Sequence, residues 1–208
     1  MSKFVSIDIE TLGLGIRAPI IQIGLVVADW LKGEIIGEFE TNVLHDRYDN
    51  CEPYAMAMHP KILKEIAGGN GIRADIVVHT IREWLYLKGM TTKCGKPTKI
   101  IVAGKNAAGF DLPMLCEQFP RWKREIPYSH RVLDPGMLYW NPKTDTVPPD
   151  LKACLQRARL SGDVAHTAVE DARDVANLII HYAQCYLAEQ GRDGFVITTE
   201  KLNATSIQ

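Results

Sequence analysis

The sequence predicts an α/β protein: a mixed sheet opened by a three-strand antiparallel meander, continued by further strands, with helices on both faces. Three observations predict it. Strand signals occupy residues 3–43, helical periodicity replaces them from residue 55, and short apolar strand signals return between the later helices.

The first strand covers 3–10 (KFVSIDIE). Side chains alternate across a strand, so Ser6, Asp8 and Glu10 share one face and Val5, Ile7 and Ile9 the other. PIIQIGLVVADW (19–30) and EIIGEFETNV (34–43) follow, joined by a short Leu31-Lys32-Gly33 turn that completes the meander. AMAMHPKILKEIAGG (55–69) reads as one helix stopped by Gly68-Gly69. In 74–89, Ile76, Val77, Ile81, Trp84, Leu85 and Lys88 fall at helical spacing. KIIVAG (99–104) reads as a short buried strand, and a helix follows from Asp111 through Phe119. RVLD (131–134) is a further short strand, 151–160 a helix after Pro148-Pro149-Asp150, and about 168–189 a long helix. With no internal repeat or linker, residues 1–190 form one domain and 191–208 a C-terminal tail.

The 208 residues suffice for one domain with a substantial core, nearly half of them apolar or aromatic. With 24 basic and 25 acidic residues there is no global field toward nucleic acid or an anionic membrane, so any nucleic-acid affinity must come from a local patch. The five Cys (51, 94, 116, 154, 185) are widely separated and make no metal-binding or disulfide pattern. No export signal or membrane span is legible, and the expectation is a cytoplasmic protein with no membrane partner.

Three acidic places stand out. Asp8 and Glu10 sit side by side on an otherwise apolar strand, which a half-buried strand with one wet face would also explain. Thr167-Ala168-Val169-Glu170 fits a capping box with Thr167 as N-cap, leaving His166 in the loop and Asp171 in the first helical turn. Asp171 precedes Val175, Leu178 and Tyr182 by four, seven and eleven residues and so shares their face. The helix dipole favours an acid there but does not explain its facing direction. In AGKNAAGFDLPML, Asp111 reads by itself as a helix N-cap, with Pro113 in the first turn.

In chain order, D-x-E (Asp8, Glu10), N-x-x-x-F-D (Asn106 to Asp111) and H-x-x-x-x-D (His166 to Asp171) resemble the three exonuclease motifs of the DEDDh, or DnaQ-like, family. The first and third patterns each occur once in the chain, and the His-to-Asp spacing of five separates this branch from the tyrosine branch. The resemblance spans about residues 3–185 and includes VLDPGMLYW, similar to the family's aspartate-bearing segment between the second and third motifs. Lys105-Asn106 stands where many relatives have His-Asn.

The resemblance implies a ribonuclease H-like sheet and a 3′→5′ exonuclease that releases nucleoside 5′-monophosphates from a single-stranded DNA or RNA 3′ end. Its catalytic residues would be Asp8, Glu10, Asp111, His166 and Asp171. Four converging carboxylates repel unless cations hold them ionised, and an all-oxygen set suits two Mg²⁺ or Mn²⁺ ions. By resemblance, Asp8 bridges both ions, Glu10 and Asp171 complete the nucleophile side, Asp111 supports the leaving-group side, and His166 is the general base. Thr11 and Leu12 would meet the terminal nucleotide, Leu12 as an apolar wedge, with Asn106 and Phe110 lining the cleft. Phe110 also reads as an ordinary core residue.

Arg121-Trp122-Lys123-Arg124, with Arg131, mixes cations with an aromatic as single-strand contacts do, although such runs are also plain solvated helix ends. An oligoribonuclease or RNA-trimming enzyme uses the same residues. A non-cutting binding module is the competing class, and five filled catalytic positions argue against it. Within the family, a homodimer and a polymerase-associated subunit are both precedented.

Overall fold

The computed structural model describes residues 2–91, 99–160 and 167–193. Three long strands open the chain: β1 (Lys3–Thr11), β2 (Ile20–Asp29) and β3 (Glu34–Leu44). Then follow α1 (Pro53–Met58), α2 (Pro60–Ala67), β4 (Ile72–Arg73) and α3 (Val77–Leu87). The remaining elements are β5 (Val102–Ala103), α4 (Asp111–Gln118), α5 (Trp122–Glu125), α6 (Pro135–Leu138), α7 (Leu151–Ala158) and α8 (Ala168–Asp193). The sheet order is β4-β3-β2-β1-β5. β1–β2 and β2–β3 pair antiparallel, as the meander predicts, while β1–β5 and β3–β4 pair parallel.

The alternation of β1 divides two cores. Val5, Ile7 and Ile9 join Ile81 and Leu85 of α3, Leu112 and Leu115 of α4 and Trp122 of α5. On the other face Phe4 joins Val26 and Ala28 of β2 and Ala172, Val175, Ala176 and Ile179 of α8. Helices therefore cover both faces, which is why every residue of β2 is buried.

Tertiary context shortens several expected elements. The helix expected over 55–69 is two, α1 and α2, broken at His59-Pro60: Pro60 opens α2 and its ring disfavours helical backbone at the residue before it. Of KIIVAG only Val102–Ala103 pairs fully, Ile100 making a single bridge to Tyr128. RVLD contributes one bridge, Leu133 to Ala103. The expected tail lies outside the described residues from 194 on, and α8 runs past 190 to Asp193. Among the described residues no helix is long and apolar enough to cross a membrane.

Candidate active site

Asp8 and Glu10 occupy the C-terminal half of β1 on the face that meets α8, opposite Gly24 and Gln22 of β2. Asp171 stands in the first turn of α8, and one carboxylate oxygen from each of Asp8, Glu10 and Asp171 lies within 4.8 Å of the others. That closeness comes from small residues. A Cβ added to Gly24 would fall 2.2 Å from the Ala168 carbonyl carbon and 2.3 Å from the Val169 nitrogen, so only glycine lets the helix backbone rest on the strand. Ala168, Ala172 and Ala176 continue the contact along α8 as fully buried residues.

The sheet itself caps this helix. Ala168 N–H donates to Gln22 Oε1 at 3.0 Å and Val169 N–H to Glu40 Oε1 at 3.3 Å. Glu170 does reach back to Thr167, as the capping box predicts, but the bond is hydroxyl to carboxylate, Thr167 Oγ1 to Glu170 Oε2 at 2.5 Å. His166 lies outside the described residues.

Asp111 is not the N-cap that its position in the sequence suggests. Phe110 holds that place and Asp111 is the first helical residue of α4. The Asp111 Oδ1 instead accepts the Ile9 backbone N–H at 3.1 Å. Val5 N–H, on the same edge of β1, donates to Ile101. β5 ends at Ala103, so the Ile9 donor needs another partner, and Asp111 supplies it beside Asp8 and Glu10.

Burial raises all four acids, and repulsion from neighbouring carboxylates adds to it at Asp8, Glu10 and Asp171. Burial pushes Asp8 well above the ordinary carboxylate range, and Asp111, Glu10 and Asp171 add to it. Glu10 rises to about 7 through burial and then through Asp171, Asp111 and Glu40. Asp111 also reaches about 7 by burial, against the pull of its backbone hydrogen bonds. Asp171 reaches about 7 by burial and by the nearby Asp174 and Glu170. Its Oδ1 is buried without a hydrogen-bond partner. A buried, unpartnered carboxylate oxygen beside two further carboxylates fits a hard divalent cation, whose charge would reverse each of these shifts.

A cavity of about 260 Å³ opens at Glu10. Ile9, Thr11, Gly13, Leu14, Glu52, Tyr54, Ala55, Met58, His59 and Phe110 complete its wall. Thr11 is therefore present, turned to donate to the Gly13 carbonyl at 2.8 Å, and Phe110 is both wall and partner of the main core. Leu12 is not a wedge. It is 1% exposed and packs with Ile21 and Ile62, because β1 has ended and the chain turns its side chain under α2. Leu14, 80% exposed, and Tyr54, 76% exposed, present the apolar rim instead. Asn106 does not line this cavity. It stands in the left-handed region at φ 58, with its N–H held by Asp134 at 2.9 Å. Asp134 thus serves the loop, also capping α6 through Gly136 N–H at 2.7 Å.

His59 joins the site without belonging to any of the sequence motifs. It is buried at the α1–α2 break with Nε2 3.5 Å from Glu10 Oε2. The Pro that follows it is the visible signal of a break, but only the fold brings that break to β1. The basic-aromatic run also resolves differently: Trp122 is 2% exposed and belongs to the core, so it is no stacking platform. Arg121 and Arg124 are tied to Glu125 at 2.5 and 3.7 Å.

The fold has solved counterparts. The nuclease domain of 3′hExo, a DEDDh family member crystallised with rAMP, is 18% identical with a TM-score of 0.66, over 88% of this chain and 92% of that one. A full-length 3′-exonuclease is 16% identical with a TM-score of 0.63, over 89% and 83%. E. coli Exonuclease I in complex with a dT13 oligonucleotide is 18% identical with a TM-score of 0.63, over 92% of this chain but only 42% of its own. Among curated proteins none matches in sequence. The family description 3′-5′ exoribonuclease Rv2179c-like domain matches residues 3–181, nearly the whole described fold. By that match the chain belongs to the Rv2179c-like family of 3′-5′ exoribonuclease domains, and its architecture is that of the DEDDh exonucleases.

Proposed function

We propose that the protein is a metal-dependent 3′→5′ exonuclease that removes nucleoside 5′-monophosphates from the 3′ end of single-stranded RNA. The observation that carries the reading is the convergence of Asp8, Glu10 and Asp171 within 4.8 Å, with a buried unpartnered Asp171 oxygen, where Glu10 also lines a cavity rimmed by exposed apolar and aromatic side chains. The family description supports RNA as the substrate, and the 3′hExo nuclease domain was crystallised with rAMP. Single-stranded DNA, bound by Exonuclease I, is the comparison substrate.

Asp8, Glu10, Asp111 and Asp171 would hold two divalent cations, Mg²⁺ or Mn²⁺. When bound, such ions supply charge stabilisation for the phosphodiester and acidify the attacking water. The chain does the rest. Leu14 and Tyr54 flank the terminal base, Tyr54 offering a ring face and Leu14 an apolar edge. His166, two residues before Ala168 in the sequence, takes the proton of the attacking water, a role for which an imidazole is suited at neutral pH. His59 and the Ile9 N–H keep Glu10 and Asp111 in place.

The test uses one strand as RNA and as DNA, labelled at its 3′ end, with Mn²⁺ or Mg²⁺. Labelled monophosphate should be released from RNA, Asp8→Ala should abolish release, and His166→Ala should slow it by about 10²–10⁴. Variants as active as wild type would sink the reading.

A further inference from the structure

A second groove, of about 520 Å³, lies on the α4 side of the sheet edge and reaches Ala108 and Leu112, on either side of Phe110 and Asp111. Tyr128, His130 and Val132 line it from alternate positions of the segment that bridges to Ile100 through Tyr128 and to Ala103 of β5 through Leu133. Pro113 and Cys116 of α4, Lys99 ahead of β5 and Lys123 of α5 complete its lining. No acid lines it.

The charge there is specific to the place. The chain as a whole is at −1, yet both groove lysines are exposed and have no ion pair among the described residues. Nearby acids are engaged elsewhere, Glu125 by Arg121 and Arg124, and Glu117 of α4 by Arg17 at 3.5 Å. The groove also has a direction. β5 runs parallel to β1 with Val102 beside Val5, so Lys99 lies level with the start of β1 while Asp8 and Glu10 lie toward its end. Six strand residues separate those levels, about 20 Å, which spans several nucleotides of an extended strand.

We infer that this groove is the track for the RNA strand upstream of the 3′ end, with Lys99 and Lys123 each neutralising one phosphate and His130 facing the strand between them. The inference rests on the exonuclease reading for the strand's polarity. It replaces the Arg121–Trp122–Arg124 run as the source of phosphate affinity, since those arginines are paired and the tryptophan is buried. A basic groove that follows the backbone while a separate pocket holds the reacting end is how single strands are held without sequence preference.

The binding arm uses a 12-nucleotide RNA with a 5′ fluorophore and protein carrying Asp8→Asn, so that no cleavage intervenes. Fluorescence anisotropy is followed across salt concentrations. Adding Lys99→Gln/Lys123→Gln should weaken binding about ten-fold at 50 mM salt and reduce the slope of log K against log salt by about 1.4, about 0.7 for each lost phosphate contact. Lys32→Gln/Lys152→Gln makes the same charge change away from the groove and should leave both quantities unchanged. Thermal melts verify that all variants fold. In the cleavage arm, with Asp8 intact, Lys99→Gln/Lys123→Gln should lower kcat/KM on the 12-mer about ten-fold and leave dinucleotide hydrolysis within two-fold, because a dinucleotide does not reach the groove.

An unchanged affinity and slope, or an equal loss in the Lys32/Lys152 control, overturns the track. If the parent protein cleaves neither substrate, the exonuclease reading falls while the binding arm still decides the groove.

Discussion

At the scale of single residues, Leu12 and Leu14 show how little separates a core position from a binding surface. They are two apart, yet one is sealed beneath α2 with Ile21 and Ile62 and the other projects at the cavity mouth. Leu12→Ala should therefore lower unfolding free energy by about 2–5 kcal/mol in urea melts, the range for emptying a core leucine site. Leu14→Ala should leave that stability within about 0.5 kcal/mol, as exposed substitutions do, and raise KM for the RNA 3′ end several-fold. If both variants lose stability alike, Leu14 is packed rather than presented. Asp111 carries the same lesson: its helix-start position was legible, but its bond to Ile9 N–H was not.

At the scale of elements, the site depends on how closely α8 rests on β2. Gly24, with no Cβ to push the Ala168 backbone away, sets that distance, and Gln22 and Glu40 fix the helix end above the sheet. Gly24→Ala should force the first turn of α8 outward and carry Asp171 from Asp8 and Glu10. We expect a stability loss of about 1–3 kcal/mol from overpacking together with loss of the Mn²⁺-induced rise in Tm. A variant that is destabilised but still gains its full Tm shift from Mn²⁺ would show that the helix can move without disturbing the acids. The sequence carried a trace of this contact, an isolated glycine inside an apolar strand, which marks a bulge or a close approach. Which partner approaches was beyond it, because Ala168 is distant in sequence.

At the scale of the whole molecule, the clustered acids tie stability to pH and to cations. In the cation-free protein Glu10, Asp111 and Asp171 titrate near 7, against ordinary carboxylate values of 3.8 to 4.5 in the unfolded chain. Between those values the folded state binds more protons than the unfolded, so stability is greatest at the acidic end and falls as pH rises through about 7. Tm measured in EDTA should therefore drop from pH 5 to pH 8, and less steeply in Asp171→Asn. Saturating Mn²⁺ at pH 8 should restore Tm, adding about 2.7 kcal/mol at one hundred times its Kd. A Tm at pH 8 that ignores Mn²⁺ would remove the metal site and with it the enzymatic mechanism proposed above.

The meander, the two-faced strand and the identity of the acids were legible along the chain, because these follow from period-two and period-3.6 spacing and from residue types that travel with their neighbours. The sequence also carried the family resemblance, since motif order along the chain needs no coordinates. Which residues meet depends on the packing of distant elements. Parallel pairing of β5 with β1 brings Asp111 to Ile9, the Gly24 contact brings Asp171 to Asp8, and the break at Pro60 brings His59 to Glu10. That packing likewise buried Leu12 and Trp122 and left Leu14 and Lys123 outside. Local spacing specifies the direction in which a side chain points relative to its own element, whereas burial depends on which other element packs there, and that is set by contacts between residues far apart in the chain.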